Sequence, residues 1–382
     1  MIYLDNAATS LNKPQVVIDA VIDAIQHSGN AGRGSSDSAM QASRSIFQAR
    51  QSLNQLINGK DPRQIIFTHN ATDSLNTVIK GLFKKGDHVI TTVMEHNSVL
   101  RPLYELEENG LELTILDINS KGIIDPATVN NTIQSNTKGM VITHASNVTG
   151  DINPIKEITQ ILHQHNLLGI VDASQTIGCI PIDVEALDID VLCFTGHKSL
   201  LGPQGTGGIY VHPDVEIHPL KSGGTGIDTF SHHQPLDYPS RLEAGTLNSH
   251  GIAGLAAGVN YLIDYGVNKV RDYERNLLNI FYKELQSIPQ IKFYGHFNPT
   301  VDRCGILSIN LGDFDSAIVV EELIDRAEII TRGGGHCAPL MHEALGTKEQ
   351  GVVRFSLSHY TKKEDLMVAV ECLKDIQKDL SE

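Results

Sequence analysis

Between residues 60 and 215, short apolar runs rich in Ile and Val alternate with longer stretches in which an apolar side chain recurs every third or fourth position. The first kind reads as strand and the second as amphipathic helix, so the segment predicts successive βα units. Strands are expected at residues 64–68, 88–92, 112–116, 140–144, 168–172, 191–195 and 208–211. Helices are expected in most of the gaps, among them 73–82, 98–108 and 155–165. Right-handed crossovers then build a mostly parallel sheet, an α/β fold. The last two strands are separated by about a dozen residues, too few for a helical crossover and its turns, which makes 208–211 an antiparallel member of a mixed sheet.

After a long helix at 252–265 the rhythm changes. A helix at 270–285, strands at 306–311 and 352–358, and helices at 316–326 and 362–378 predict a smaller α+β unit. The expected division is a large α/β domain over 15–265 and a small domain made of 1–14 together with 266–382. No internal repeat, low-complexity tract or Gly/Ser linker separates the two.

Composition narrows the function classes. A chain of 382 residues, 41% hydrophobic and 20% charged, with 33 Gly and 14 Pro scattered along it, suits a folded enzyme rather than a disordered or fibrous chain. With 30 Lys and Arg against 45 Asp and Glu the formal charge is −15, which opposes binding to nucleic acid or an anionic membrane. Met1 to Asn6 hold no basic stretch followed by an apolar run, and nowhere do 18 apolar residues follow one another, so a cytoplasmic protein is expected. Five cysteines, none in a Cys-x-x-Cys pair, indicate neither a disulfide framework nor a zinc ribbon, and at least one thiol should be free.

Three segments could carry chemistry. The strand ending in Val171-Asp172-Ala173-Ser174-Gln175 delivers a carboxylate to the C-terminal edge of the sheet, where open α/β sheets bind ligands. Alone, Asp172 reads equally well as a turn cap. Gly196-His197-Lys198 sets one lysine in a Gly-rich loop with apolar neighbours, where an amine of lowered pKa could form a Schiff base. Alone, it is a surface lysine; the residue order excludes a P-loop. Thr68 to Asp73 turns from strand to helix and offers free amides to a phosphate, although Asn70, Thr72 and Asp73 are also ordinary capping residues. Together the three meet the needs of pyridoxal 5′-phosphate (PLP): a phosphate seat, an acid for the ring nitrogen and an amine for the aldehyde.

These segments, with Tyr3-Leu4-Asp5-Asn6-Ala7-Ala8-Thr9, Glu95-His96-Asn97, Ser146-Asn147-Val148-Thr149-Gly150, Glu243-Ala244-Gly245-Thr246 and Arg354, resemble the class V aminotransferases, specifically their cysteine desulfurase and selenocysteine lyase group. The resemblance runs nearly end to end and implies fold type I of the PLP-dependent transferases. It implies that Lys198 attaches the cofactor, Asp172 pairs with the ring nitrogen, Gln175 bonds the phenolic oxygen and His96 stacks on the ring. Ala71, Thr72, Thr195 and His197 would hold the phosphate, joined by Thr246 from a second subunit of a homodimer. Asn147 and Arg354 would bind the substrate carboxylate, a task suited to a guanidinium fork, with Arg332 a further candidate.

In Thr331-Arg332-Gly333-Gly334-Gly335-His336-Cys337-Ala338, a Gly-rich loop bears one thiol beside His336 and Arg332, a setting that favours thiolate. Three glycines suggest a mobile loop. By the resemblance, Cys337 takes sulfur from L-cysteine as a persulfide, as in the short-loop branch of the group, and the sulfur passes to an acceptor protein whose identity the sequence does not carry. The glycine run Gly333 to Gly335 departs from that branch. The alternatives are a selenocysteine lyase acting on L-selenocysteine, another class V β-lyase or aminotransferase with Cys337 a spectator, or a catalytically silent binding protein. No metal site is expected, since His336, Cys337 and His342 match no standard ligand spacing.

Overall fold

Alternate residues along the central strands are buried on opposite faces, which is possible only if helices cover both sides of the sheet. The computed structural model describes residues 1–29, 36–299 and 301–381. Among them the strands are β1 (Ile2–Tyr3), β2 (Ile65–Thr68), β3 (His88–Thr92), β4 (Glu112–Leu116), β5 (Thr137–Thr143), β6 (Leu168–Asp172), β7 (Val191–Thr195), β8 (Gly207–Val211), β9 (Ile291–Tyr294), β10 (Ile306–Leu311), β11 (Ile329–Ile330) and β12 (Val353–Ser356). The large sheet has the order β2-β8-β7-β6-β5-β3-β4. Its direct pairings are parallel except those of β8 with β2 and β7, which gives the mostly parallel, mixed α/β sheet expected from the short connection before β8.

In β7, Val191 and Cys193 pack on one side with Val78 and Val99 from the helices Ala71–Leu82 and Asn97–Glu108, while Leu192 and Phe194 pack on the other with Leu53, Leu255 and Val259. A third core gathers Leu4, Phe281, Leu307, Phe355 and Leu373 around the antiparallel sheet β12-β10-β9. Strand β1 pairs in parallel with β11, so the first residues of the chain lie against the C-terminal part. The helices Gln15–His27 and Asp37–Leu56 go beyond the predicted elements. The second buries Ala39, Ala42, Ile46, Ala49 and Leu53, a helical spacing made largely of alanine and therefore faint in a hydropathy pattern.

The strand order reverses at β3. The chain steps outward from β3 to the edge strand β4, then returns to β5 on the other side of β3. Loops leaving the C-terminal ends of β3 and β5 therefore diverge and leave a crevice, the place where open sheets bind ligands.

Candidate active site

A cavity of about 290 Å³ occupies that crevice, and it gathers residues from the ends of five strands of the large sheet together with the loop after β11 and Arg354 of β12. Ala71, Thr72, His96, Asn147, Asp172, Gln175, Thr195, His197, Lys198, Arg332, Cys337 and Arg354 all line it. Of the residues singled out in the sequence, Thr246 does not: it is exposed and lines a separate depression with Phe67 and Lys221.

Asp172 ends β6, and its Oδ1 accepts from the backbone N–H and the hydroxyl of Ser174, an Asx turn that fixes the carboxylate at the cavity wall. Burial brings the Lys198 amine down to about 8; Asp172 opposes that shift, while Arg354 and Arg332 add to it. The Lys198 backbone is held by Ser10, whose hydroxyl donates to the carbonyls of His197 and Lys198 at 3.0 Å each. His96 caps the helix Asn97–Glu108: its Nδ1 accepts from Ser98 N–H at 3.1 Å. Burial, then the neighbouring Lys198, lowers His96 to about 4, so its ring is neutral at physiological pH. His197 is likewise lowered to about 4 by burial, with Nδ1 3.0 Å from Thr9 Oγ1.

Three features of the cavity fit PLP. Asn70 caps the helix Ala71–Leu82 by accepting from Asp73 N–H, so the Ala71 and Thr72 amides, which have no intrahelical acceptor, are available to a phosphate. The buried Thr195 hydroxyl has no partner among the described residues, a deficit that a phosphate oxygen would fill. An amine and a carboxylate, Lys198 and Asp172, line the same space.

At the other end lies Arg354, 2% exposed, whose Nη1 donates to Asn147 O at 3.0 Å and whose Nη2 donates to Asp5 Oδ1 at 2.8 Å. Cys337 is the exposed thiol; Cys179, Cys193, Cys304 and Cys372 are buried, and all five are free. Two features of its loop differ from the sequence expectation. The loop is seated rather than slack: Gly334 N–H donates to Ser316 Oγ, Asn147 Nδ2 to His336 O at 2.7 Å, and Asn97 N–H to Cys337 O at 2.7 Å. Those bonds hold His336 and Cys337 at φ +50° and +57°, a conformation costing roughly 1 kcal/mol or more for each side-chain-bearing residue. His336 also lends no positive charge to the thiol. Its Nε2 donates to Arg332 O at 3.1 Å, and burial, helped by Arg354, lowers it to about 3. The exposed guanidinium of Arg332 is the cation of the loop that lines the cavity.

The aminotransferase class-V family model matches residues 2–368. The chain belongs to the class-V aminotransferase family. It is 34% identical to a probable cysteine desulfurase of Methanothermobacter thermautotrophicus over 98% of this chain and 94% of that one. A cysteine desulfurase of Escherichia coli is also 34% identical, over 98% and 93% of the two chains. Among solved structures, the apo cysteine desulfurase of Thermococcus onnurineus superposes with a TM-score of 0.93 at 31% identity, covering 99% of this chain and 95% of that one. An Escherichia coli cysteine desulfurase in an S-sulfonic acid form gives 0.88 at 28% identity, covering 99% and 94%. The fold is fold type I of the PLP-dependent transferases.

Several residues of this class-V site were given no role in the sequence reading. Ser98 is buried between Thr72 Oγ1 at 2.7 Å and His96 Nδ1 at 2.9 Å, joining the helix N-terminus to the histidine. Glu95 is fully buried; its Oε1 accepts from Thr92 Oγ1 and Thr143 N–H, tying the ends of β3 and β5 together, and its Oε2 has no partner among the described residues. Burial raises Glu95 to about 8, so it is a neutral acid at pH 7. Asp5 pairs with Arg354 across 349 residues, a separation that no local pattern encodes.

Proposed function

We propose that the protein is a PLP-dependent cysteine desulfurase, which converts L-cysteine to L-alanine and leaves the sulfur on Cys337 as a persulfide. The observation that carries this reading is one cavity shared by Lys198, Asp172, Arg354 and an exposed loop thiol, in a chain whose full-length relatives are cysteine desulfurases.

Bound PLP supplies an electron-accepting ring that stabilises negative charge at the substrate α-carbon. Asp172 holds a proton on the ring nitrogen. Ala71, Thr72, Thr195 and His197 would seat the phosphate, His96 would present a neutral imidazole to the ring and Gln175 would bond the phenolic oxygen. Arg354 and Asn147 orient the α-carboxylate, and Arg332 stands at the mouth where it stabilises an anionic sulfur. Lys198 Nζ, as a neutral amine, would remove the α-proton. Cys337 Sγ then attacks the substrate sulfur: an S–S bond forms, the S–Cβ bond breaks, and its electron pair ends as a C–H bond of alanine after protonation. The sulfur leaves to an acceptor. The assembly is a homodimer in which Thr246 reaches the phosphate of the partner's site; its exposure, outside the cavity of its own chain, supports that reading.

The test is to incubate the purified protein with L-cysteine in the absence of reductant, alkylate it, and map Cys337 by mass spectrometry. An additional sulfur on Cys337, matched by alanine, is expected. Unmodified Cys337 in a protein that carries PLP and converts L-cysteine to pyruvate, ammonia and sulfide would sink the persulfide step and favour a β-lyase in which this thiol is a spectator.

A further inference from the structure

Arg354 meets the cavity already committed to another carboxylate. Its Nη2 lies 2.8 Å from Asp5 Oδ1, the side chains are 2% and 15% exposed, and its Nε is buried without a partner among the described residues. Asp5 itself has little freedom. Leu4 N–H donates to Ile330 O at 2.8 Å, Ser356 N–H to Leu4 O at 2.7 Å, and Ala7 N–H to Ser356 Oγ at 2.9 Å, so the residues flanking Asp5 are bonded to β11 and β12. Ser356 stands two residues beyond Arg354 on β12, and Asp5 forms a bridge with it.

We propose that Asp5 is a positioning residue for carboxylate recognition: it orients the Arg354 guanidinium and offsets part of its charge, so that an amino-acid carboxylate is held in register but released with the product. The inference rests on the functional reading above, in which the ligand is an amino acid. Its physical basis is that of three charges in contact. A carboxylate arriving at Arg354 meets an arginine already paired with Asp5 and a like charge beside it, and both weaken the attraction in a poorly screened site. Were Asp5 only a structural tie, any substitution would loosen the site and weaken binding.

Two substitutions separate these roles. Asp5→Asn keeps an acceptor oxygen for Nη2 and removes the opposing charge, so carboxylates should bind more tightly. Asp5→Ala removes the acceptor as well, leaves a buried N–H unpaired and frees the guanidinium to swing, so binding should weaken. The experiment titrates the PLP-loaded protein with L-alanine, which has no sulfur to lose, follows the cofactor absorbance, and records the melting temperature of each protein. The dissociation constant is expected to fall about fivefold in Asp5→Asn and to rise about fivefold in Asp5→Ala, changes typical of altering one partly screened charge pair. Equal or weaker alanine binding by Asp5→Asn overturns the proposal. Should neither variant fold, Asp5→Glu, which keeps the charge but displaces it, must weaken alanine binding; unchanged binding there overturns the proposal too. If the unmodified protein takes up no PLP, it is the functional reading that fails, before Asp5 is tested.

Discussion

Lys198 and Asp172 occupy one cavity, but their environments act on them differently. Asp172 has its Oδ1 satisfied by Ser174, whereas burial outweighs the Asp172 carboxylate in setting the Lys198 amine, which comes down to about 8 from the ordinary lysine value. Only the neutral amine condenses with an aldehyde. At pH 7 roughly a tenth of such an amine is neutral, against less than about a thousandth for an exposed lysine. The rate at which apoprotein takes up PLP should therefore climb as pH rises towards 8 and level off above it, measured as growth of the cofactor absorbance after mixing. A rate that keeps climbing through pH 10 would mean that the amine is not perturbed. Lys198→Ala protein should show no covalent attachment after borohydride reduction and no turnover with L-cysteine.

The loop that presents Cys337 depends on glycine at two of its three consecutive positions. Gly334 has φ +94°, which only glycine adopts cheaply, and a Cβ at Gly333 would lie 3.0 Å from Ser316 O at the N-terminus of the helix Ser316–Ala327. At Gly335 a Cβ would meet nothing within 4 Å, and its φ is ordinary. Gly334→Ala should accordingly cost about 1–2 kcal/mol and slow persulfide formation, while Gly335→Ala should leave both melting temperature and rate nearly unchanged. Equal damage from the two would refute this account of the loop. The contrast also shows what a sequence can carry. Three glycines in a row announce an unusual loop, but which of them is needed depends on φ and on the approach of Ser316, 17 residues away in the chain. The strands were legible because their apolar runs are buried on both faces, and β7 has the predicted bounds. Asp172 and Lys198 were legible because each follows such a run. The neutral state of His336 was not, since it is set by burial and then by Arg354, against the opposing pull of the Arg332 carbonyl, and only the folded chain brings these about. The Thr72–Ser98–His96 bridge was hidden for the same reason: it joins residues after two different strands.

At the scale of the whole molecule, the helix Gln15–His27 has two apolar sides. Val17 and Ala24 are buried, whereas Ile18, Ile22 and Ile25, at helical spacing, are 43%, 49% and 60% exposed, with Phe47 of the helix Asp37–Leu56 at 47%. Both helices pack on Ser249–Tyr265. An exposed apolar stripe of this kind is costly in water and marks a surface meant to be covered. The segment carrying Thr246 is firmly built despite its exposure: Glu243 forks onto Arg50, with Oε1–Nη1 at 2.8 Å and Oε2–Nη2 at 2.7 Å, and also accepts Phe67 N–H. A rigid, buried ion pair supporting an exposed hydroxyl makes sense if the hydroxyl serves a second copy of the chain, and this couples two measurable quantities. Replacing Ile22 and Ile25 together by Glu should shift the protein from dimer to monomer in sedimentation at micromolar concentration. If the proposed dimer forms, the same double variant should lose PLP more readily on dialysis, because a hydroxyl supplied by the partner would leave with it. Thr246→Ala should weaken PLP retention by about tenfold, the worth of one charge-assisted hydrogen bond to phosphate, while the dimer persists. A protein that is monomeric in unmodified form yet retains PLP fully would show that each chain completes its own phosphate seat, and Thr246→Ala would then have no effect on retention.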